Sequence, residues 1–461
     1  MRFPFDYLDT ICLAATSREH GISSAPVWQL HVDGDLDEEV VQRALGALIR
    51  RYPVLVSRAV SMQEGRTLEA SRRIAYEVDP APRMDDLLHV VDLTGADHRF
   101  PEIQQGIFDH HIDMATDYPA QVTWVRRGGT RGVLMFQQHH GIADGRAFFR
   151  CLEDFCTYYD QALDGAVPED IAPIQRIPEA IVAEPSAVRR FGARLIGTFL
   201  HMRNIVRYSL WPLDQLVSNQ PGDYTGHNQV HHRWLEPERI EEIRQLRSHA
   251  GISTNDLLSS AMALALAEWS ADHGHPVRRF NLLIPADVRP RPWTLESFAN
   301  HLSSFLVDLT MDRYRGPLDL LDSLRDQIHR QARRRDHITK VLAEILVASL
   351  LPLGKIREAV FAPARSMLNF PFSNLVAISP TGNGGRLGTR RWLGDELRIM
   401  TPCAWLQGAN TTVIRYGGRL CFNFNHKASM IDTPMVTGLA DRFETRLGEL
   451  VSQVDRRGRS A

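Results

Sequence analysis

Gln138-His139-His140-Gly141-Ile142-Ala143-Asp144-Gly145 is the stretch on which the reading of this chain turns. It fits the pattern His-His-x-x-x-Asp-Gly. Ordinary residue frequencies would place that pattern in roughly a few per thousand chains of this length, so its setting decides what it means. Before it, Gly132 to Gln138 reads as a short apolar strand through Val133, Leu134, Met135 and Phe136. After it a helix starts near Gly145, with Phe148, Phe149, Leu152, Phe155 and Tyr159 along one face. A strand end, a polar loop and a helix start together make a junction of the kind that carries functional side chains.

The chemistry of these residue types can be argued directly. A neutral alcohol or amine is a poor nucleophile toward an acyl carbon. An imidazole with a pKa near neutral takes its proton during attack, a contribution of about 10²–10⁴-fold. His139 and His140 are the candidate bases, with Asp144 and Gly145 completing the catalytic loop. Asp144 is too near in sequence to be assumed a triad partner, and a salt bridge to an arginine elsewhere suits it better. Gly145 allows close backbone approach where an oxyanion forms, and a helix N-terminus favours negative charge there. The alternative is a loop with a surface histidine pair and an aspartate N-cap. A metal site fits poorly, because adjacent histidines rarely chelate one ion and no third ligand lies at a useful spacing.

Working outward, Val27 to Val32 reads as a strand, Asp37 to Arg51 as a helix stopped by Tyr52-Pro53, and Val54 to Val60 as extended chain. Leu87 to Leu93 and Gln121 to Arg126 read as strands. Prolines at 168, 173, 178 and 185 mark a crossover, followed by a basic amphipathic helix over 187–210. The pattern then recurs. A strand at Val230 to Trp234 leads to a helix opened by Pro237, and Thr254 is the expected N-cap of a second helix. Strands follow at Phe280 to Ile284, Ser303 to Leu309 and Phe372 to Ile378. Thr411 to Tyr416 and Arg419 to Asn425 form a hairpin on Gly417-Gly418, and a helix from Thr433 to Val454 closes the chain. The expected division is an N-terminal lobe over 1–170, a crossover over 171–228 and a C-terminal lobe over 229–461.

The chain has 461 residues, long enough for two or three domains. Its net charge of −2 gives no reason to invoke nucleic acid. Five scattered cysteines (Cys12, Cys151, Cys156, Cys403, Cys421) form no C-x-x-C pair, which argues against a disulfide scaffold and for a reducing cytoplasm. The N-terminus has no secretory pattern, and no stretch is long enough to span a bilayer. Val341 to Leu353, with Glu344 inside it, reads as a buried helix.

The chain resembles the superfamily of CoA-dependent acyltransferases, which includes condensation domains of nonribosomal peptide synthesis, polyketide-associated acyltransferases and wax-ester/diacylglycerol acyltransferases. His139 to Gly145 is similar to the signature. Gly34-Asp35-Leu36-Asp37 through Arg51-Tyr52-Pro53-Val54-Leu55 is similar to the family's opening strand-helix-strand. Thr254-Asn255-Asp256, Ile284-Pro285-Ala286-Asp287-Val288-Arg289 with Phe298-Ala299-Asn300, Ser373-Asn374-Leu375 and Gly418 to Asn425 resemble later landmarks. Ala299 stands where a glycine is usual, and Val376 where one is also expected.

That resemblance implies an α/β (α+β) fold of two chloramphenicol-acetyltransferase-like lobes, each a mixed sheet with helices, with a tunnel between them. It implies acyl transfer from a thioester donor to an alcohol or amine, with His140 as catalytic base. Asp144 would be structural and paired with Arg289. Arg289, Asn374 and Ser373 would bind the substrate or lend structural support, Asn374 serving equally well as a strand-end residue that satisfies backbone. No cofactor would be held permanently, because coenzyme A or a phosphopantetheine thioester on an acyl or peptidyl carrier protein is itself the donor. A monomer suffices, since both halves of the site lie in one chain. A stand-alone condensation enzyme joining carrier-bound substrates, needing its carrier in trans, is the alternative. A non-catalytic carrier-binding module is the other.

Three weaker signals remain. His110-His111 with Asp113 lacks a following glycine and reads as solvated loop, and His231-His232 sits beside a strand. Thr381 to Gly388 is glycine-rich but has no Gly-Lys-Ser/Thr. The helix with Arg189, Arg190, Arg194, Arg203 and Arg207 reads first as a surface helix, its charges solvated and its apolar face packed on a lobe. Contact with an anionic membrane surface, or with a carrier protein or CoA phosphates, are the other readings. Arg330, Arg333, Arg334 and Arg335 read as a solvated face.

Overall fold

The computed structural model describes the chain apart from residues 17–22, 220–225, 291–295, 359–369, 376–377, 381, 404–406 and 461. The strands, in chain order, are β1 Arg2–Pro4, β2 Val27–Gly34, β3 Ser57–Ser61, β4 Ile74–Val78, β5 Leu88–Asp92, β6 Ala120–Arg126 and β7 Arg131–Gln138. The second half adds β8 Asn228–Leu235, β9 Arg279–Asp287, β10 Leu302–Thr310, β11 Phe370–Leu375, β12 Trp392–Met400, β13 Ala409–Tyr416 and β14 Arg419–Lys427. The helices are α1 Tyr7–Ala15, α2 Glu38–Arg51, α3 Phe100–Asp109, α4 Gly145–Leu163, α5 Glu179–Ala183 and α6 Ala187–Leu210. They continue as α7 Pro237–Ala250, α8 Thr254–Asp272, α9 Pro317–Arg333, α10 Asp336–Leu350 and α11 Thr433–Ser460.

Two larger sheets organise the molecule. The first has the order β12-β2-β7-β6-β5, the second β10-β9-β11-β13-β14-β8, and β1-β4-β3 form a small third sheet. The first sheet is covered on both faces because its strands alternate. Trp28, Leu30 and Val32 of β2 and Leu134 and Phe136 of β7 pack with the apolar stripes of α2 and α4. Val27, Val133 and Met135 point the other way, to a smaller core with Phe100 and Phe108 of α3. Burying a side chain such as Phe136, Phe148 or Phe155 stabilises by about 1.5–3 kcal/mol, so these stripes hold α4 firmly against the sheet. The second lobe packs α7, α8, α9 and α11 on its sheet.

Two lobes of mixed sheet and helix are what the sequence predicts, but the division at 229–461 needs a correction. Strand β12 leaves the second half of the chain and pairs antiparallel with β2 at the edge of the first sheet, Met400 opposite Val27 and Trp392 opposite Gly34. Its Leu397 and Ile399 belong to the first core. The first lobe is therefore completed by a strand more than two hundred residues beyond its expected end at 170, which ties the lobes together.

Local details differ from the reading in physical ways. Val54 to Val60 is not one extended run, because Pro53–Val56 form a 3₁₀ turn before β3. The N-cap of α8 is Ser253 rather than Thr254, in a capping box with Asp256. Gly417 and Gly418 have φ of 57° and 81°, the two left-handed residues a tight hairpin turn needs. Val376 and the start of the glycine-rich 381–388 segment lie outside the described residues.

The basic helix gives the largest correction. α6 packs on α10 through its small side, where a Cβ at Gly197 would lie 2.2 Å from the Thr339 carbonyl oxygen. The apolar side faces solvent, with Phe199 70% and Phe191 65% exposed. The apolar face does not pack on a lobe, because close approach to α10 demands small residues and the large ones are turned away.

Candidate active site

A cleft of about 2690 Å³ runs between the lobes, and His140 and Gly145 line it together with Ser373, Asn374 and Arg289. The sequence thus brings its predicted residues to one place, but in different roles.

The loop after β7 is held from every side. His139 N–H donates to the Pro119 carbonyl at 2.7 Å and His140 N–H to Ser24 at 2.6 Å. Tyr76 Oη donates to the Gly141 carbonyl at 2.6 Å. Asn300 Nδ2 reaches across from the second lobe to the His140 carbonyl at 2.8 Å, the Gly141 carbonyl at 3.0 Å and Asp9 Oδ1 at 3.0 Å. Arg176 pairs with Asp9 at 2.8 Å and also donates to the Ile142 and Phe298 carbonyls. Gly141 is required by space, since a Cβ there would sit 2.9 Å from His139 Nδ1.

His139 and His140 part company inside this frame. His139 is fully buried and away from the cleft. Its Nδ1 accepts from Gly141 N–H at 3.1 Å, and its Nε2 lies 2.9 Å from Thr16 Oγ1. Burial, with His140 and His111 nearby, pushes its pKa down to about 3, so it is neutral. His139, expected among the catalytic residues, therefore lies behind the loop and not in the cleft wall. The His140 side chain lines the cleft, and its Nδ1 has no hydrogen-bond partner among the described residues.

Asp144 is equally enclosed. Its carboxylate caps α4 by accepting from Ala147 N–H at 2.9 Å. It also accepts from His301 N–H at 2.8 Å and pairs with Arg289 Nη1 at 2.9 Å. Burial pushes its pKa up, but Arg289, His301 and the Ala147 N–H outweigh that and hold it below the usual carboxylate value. N-cap and cross-lobe salt bridge are therefore the same carboxylate, and Asp144 orients no imidazole. Arg289 bonds Asp287 at 3.3 Å as well, and the Ala299 carbonyl at 3.3 Å. Asp287 in turn pairs with Arg146 at 2.9 Å.

Gly145 serves the approach of the two lobes. A Cβ there would meet Leu375 Cδ1 of β11 at 3.3 Å. On the same strand Asn374 Nδ2 donates to Asn255 Oδ1 at 3.1 Å, and both asparagines line the cleft.

Asp9, Arg176, Tyr76 and Thr16 escaped sequence reasoning. Asp9 sits among buried apolar residues of α1, and an acid in that setting was the one available signal. Among the decoys, His231 and His232 lie within β8, with His232 Nδ1 2.8 Å from Asn423 Oδ1. His110-His111 is loop, though neighbouring Ile112 and Met114 are buried, so it is docked more closely than a solvated loop. Among the described residues no cluster could hold a metal ion, and no helix is long and apolar enough to cross a membrane.

Comparison with known proteins agrees with this fold. The model of the condensation-domain family matches residues 16–173, the segment carrying the loop. The first condensation domain of the calcium-dependent antibiotic synthetase, in complex with a substrate analogue, superposes with a TM-score of 0.71. That match is 17% identical and covers 98% of this chain and 96% of the other. This is the fold of a condensation domain. The condensation-domain fold is shared with polyketide synthase associated protein 5 from Mycobacterium tuberculosis, at TM-score 0.65 and 15% identity over 97% and 98% of the two chains. It is also shared with the starter condensation domain of rhizomide synthetase, seen as a mutant in complex with C8-CoA, at TM-score 0.68 and 12% identity over 98% and 95%. The fold these matches share is the one that the resemblance at the motif implied. Vanchrobactin synthetase VabF of Vibrio anguillarum is 21% identical over 243 residues, which is 52% of this chain but only 8% of that synthetase.

Proposed function

We propose that the protein transfers an acyl group from a thioester to an amine or alcohol, with His140 as general base. The observation that carries this reading is His140 itself, its backbone fixed from both lobes while its side chain lines the cleft they share. As the nucleophile attacks, its proton passes to the imidazole while the new C–N or C–O bond forms. The C–S bond then breaks, and the proton is returned to the departing thiolate. Gly145, at the start of α4, lines the same cleft as His140.

The donor is taken to carry phosphate. Arg330, Arg335 and Lys340 line the same cleft and suit the phosphates of either coenzyme A or a carrier-bound phosphopantetheine. A starter condensation domain with C8-CoA bound supports the first source, and the synthetase relative supports the second. A reducing cytoplasmic setting and a monomer belong to the same reading.

The test is a panel of short- to long-chain acyl-CoAs, and of acylated carrier proteins, each with pooled amines and alcohols, followed by mass spectrometry. Product from at least one donor class is expected. Absence of product from every donor, with the protein folded, would favour the non-catalytic carrier-binding module.

A further inference from the structure

Thirteen large hydrophobic side chains are exposed among the described residues, and nine of them fall within residues 188–211. They form one surface. Phe191, Leu195, Phe199, Met202, Val206 and Leu210 recur at intervals of three and four, which at 3.6 residues per turn confines them to an arc of about 100°. Buried Gly197 and Tyr208 lie on the opposite side. The arc runs the length of α6, about 36 Å for its residues 187–210. A continuous exposed apolar surface of this kind marks a contact site.

The charges on α6 identify the partner. The helix carries five arginines and no aspartate or glutamate. Arg189, Arg203 and Arg207 are exposed along one flank of the arc, with Arg207 also paired to Asp308. Arg333 and Arg334 at the end of the neighbouring α9 are exposed too. Trp211, 61% exposed, closes the arc at the helix end, where an amphipathic ring suits a membrane interface. A long acid-free helix with an apolar arc and arginines beside it fits an anionic lipid surface.

We infer that α6 is an amphipathic anchor that lies flat on an anionic bilayer, its phenylalanines in the acyl boundary and its flanking arginines among the headgroups. On the side facing the protein, Gly197, Leu200, His201 and Asn204 line the cleft between the lobes. Docked in this way, the protein holds one wall of its cleft at the bilayer surface, where long-chain substrates partition. Binding is read without turnover, so the inference stands or falls apart from acyl transfer.

The experiment is flotation of the full chain with vesicles of phosphatidylcholine alone and of phosphatidylcholine mixed with phosphatidylglycerol. Binding to the mixed vesicles, weakened by salt, is expected, with little binding to the neutral ones. The double variant Phe191→Glu/Phe199→Glu replaces exposed side chains, keeps the thermal transition and loses binding by roughly a hundredfold. No binding to either vesicle, or equal binding by the folded variant, would overturn the inference. So would a wild-type dimer in sedimentation velocity that the variant dissolves, which would assign the face to a second copy.

Discussion

The two ends of the loop from His139 to Gly145 lie close together in sequence yet do opposite things. At one end the His140 side chain is open to the cleft. At the other, Asp144 is fully buried and fastened to Arg289 and His301 of the second lobe. On the function proposed here the open end serves chemistry and the closed end alignment. A reactive side chain stays in position here because its neighbours, rather than the side chain itself, take up the bonds. The comparison predicts that changes at the closed end lower stability and rate together, whereas changes at the open end lower rate alone.

The sharpest way to break it is Asp144→Ala. Removing one partner of a buried pair leaves Arg289 with only its longer contact to Asp287, and a loss of up to about 3–5 kcal/mol is expected in urea unfolding, with activity falling as well. Asp144→Ala combined with Arg289→Met should be less unstable than Asp144→Ala alone. A single variant of wild-type stability would contradict the assignment of Asp144.

Asn300→Ala comes next. It leaves the carbonyls of His140 and Gly141 without their cross-lobe donor and should cost about 1–3 kcal/mol. It should also slow turnover, since His140 loses part of its backbone support. A stability loss with an unchanged rate would show that Asn300 supports the fold but does not position His140.

A smaller effect comes from pH. Burial above all holds His139 and His301 at about 3, against an ordinary value of 6.5. The unfolded chain takes up protons on them as pH falls below 6.5, and the folded chain does not until near 3. Stability therefore falls as pH drops through that window, by up to about 1.4 kcal/mol per pH unit for each histidine. His139→Asn should flatten the slope measured by unfolding between those limits. An unaltered slope would place the acid lability elsewhere.

Gly145→Ala should have the smallest effect, about 1 kcal/mol of overpacking against Leu375, read as a modest fall in melting temperature.

Much of this was legible in the sequence, for identifiable reasons. β7 and α4 announce themselves, β7 as a continuous apolar run buried on both faces and α4 by an apolar period of 3.6 that matches the face it buries. The pairing of Asp144 with Arg289 followed from family resemblance. β12 was not legible. Trp392 to Met400 alternates too weakly to signal a strand, and nothing local says that it pairs with β2 more than three hundred residues earlier. Asp9 and Arg176 were missed for the same reason, since their meaning arises only when distant segments meet at the loop. α6 shows a different limit. Its period gave the helix and its apolar face correctly, but periodicity does not say what covers that face, and here the small residues took the packing side.

The measurement that bears most directly on the central claim is the turnover of His140→Ala beside wild type, with and without added imidazole. The account predicts a rate lower by about 10²–10⁴-fold at an unchanged melting temperature, partly restored by free-base imidazole entering the cleft. A variant that turns over at the wild-type rate would contradict it.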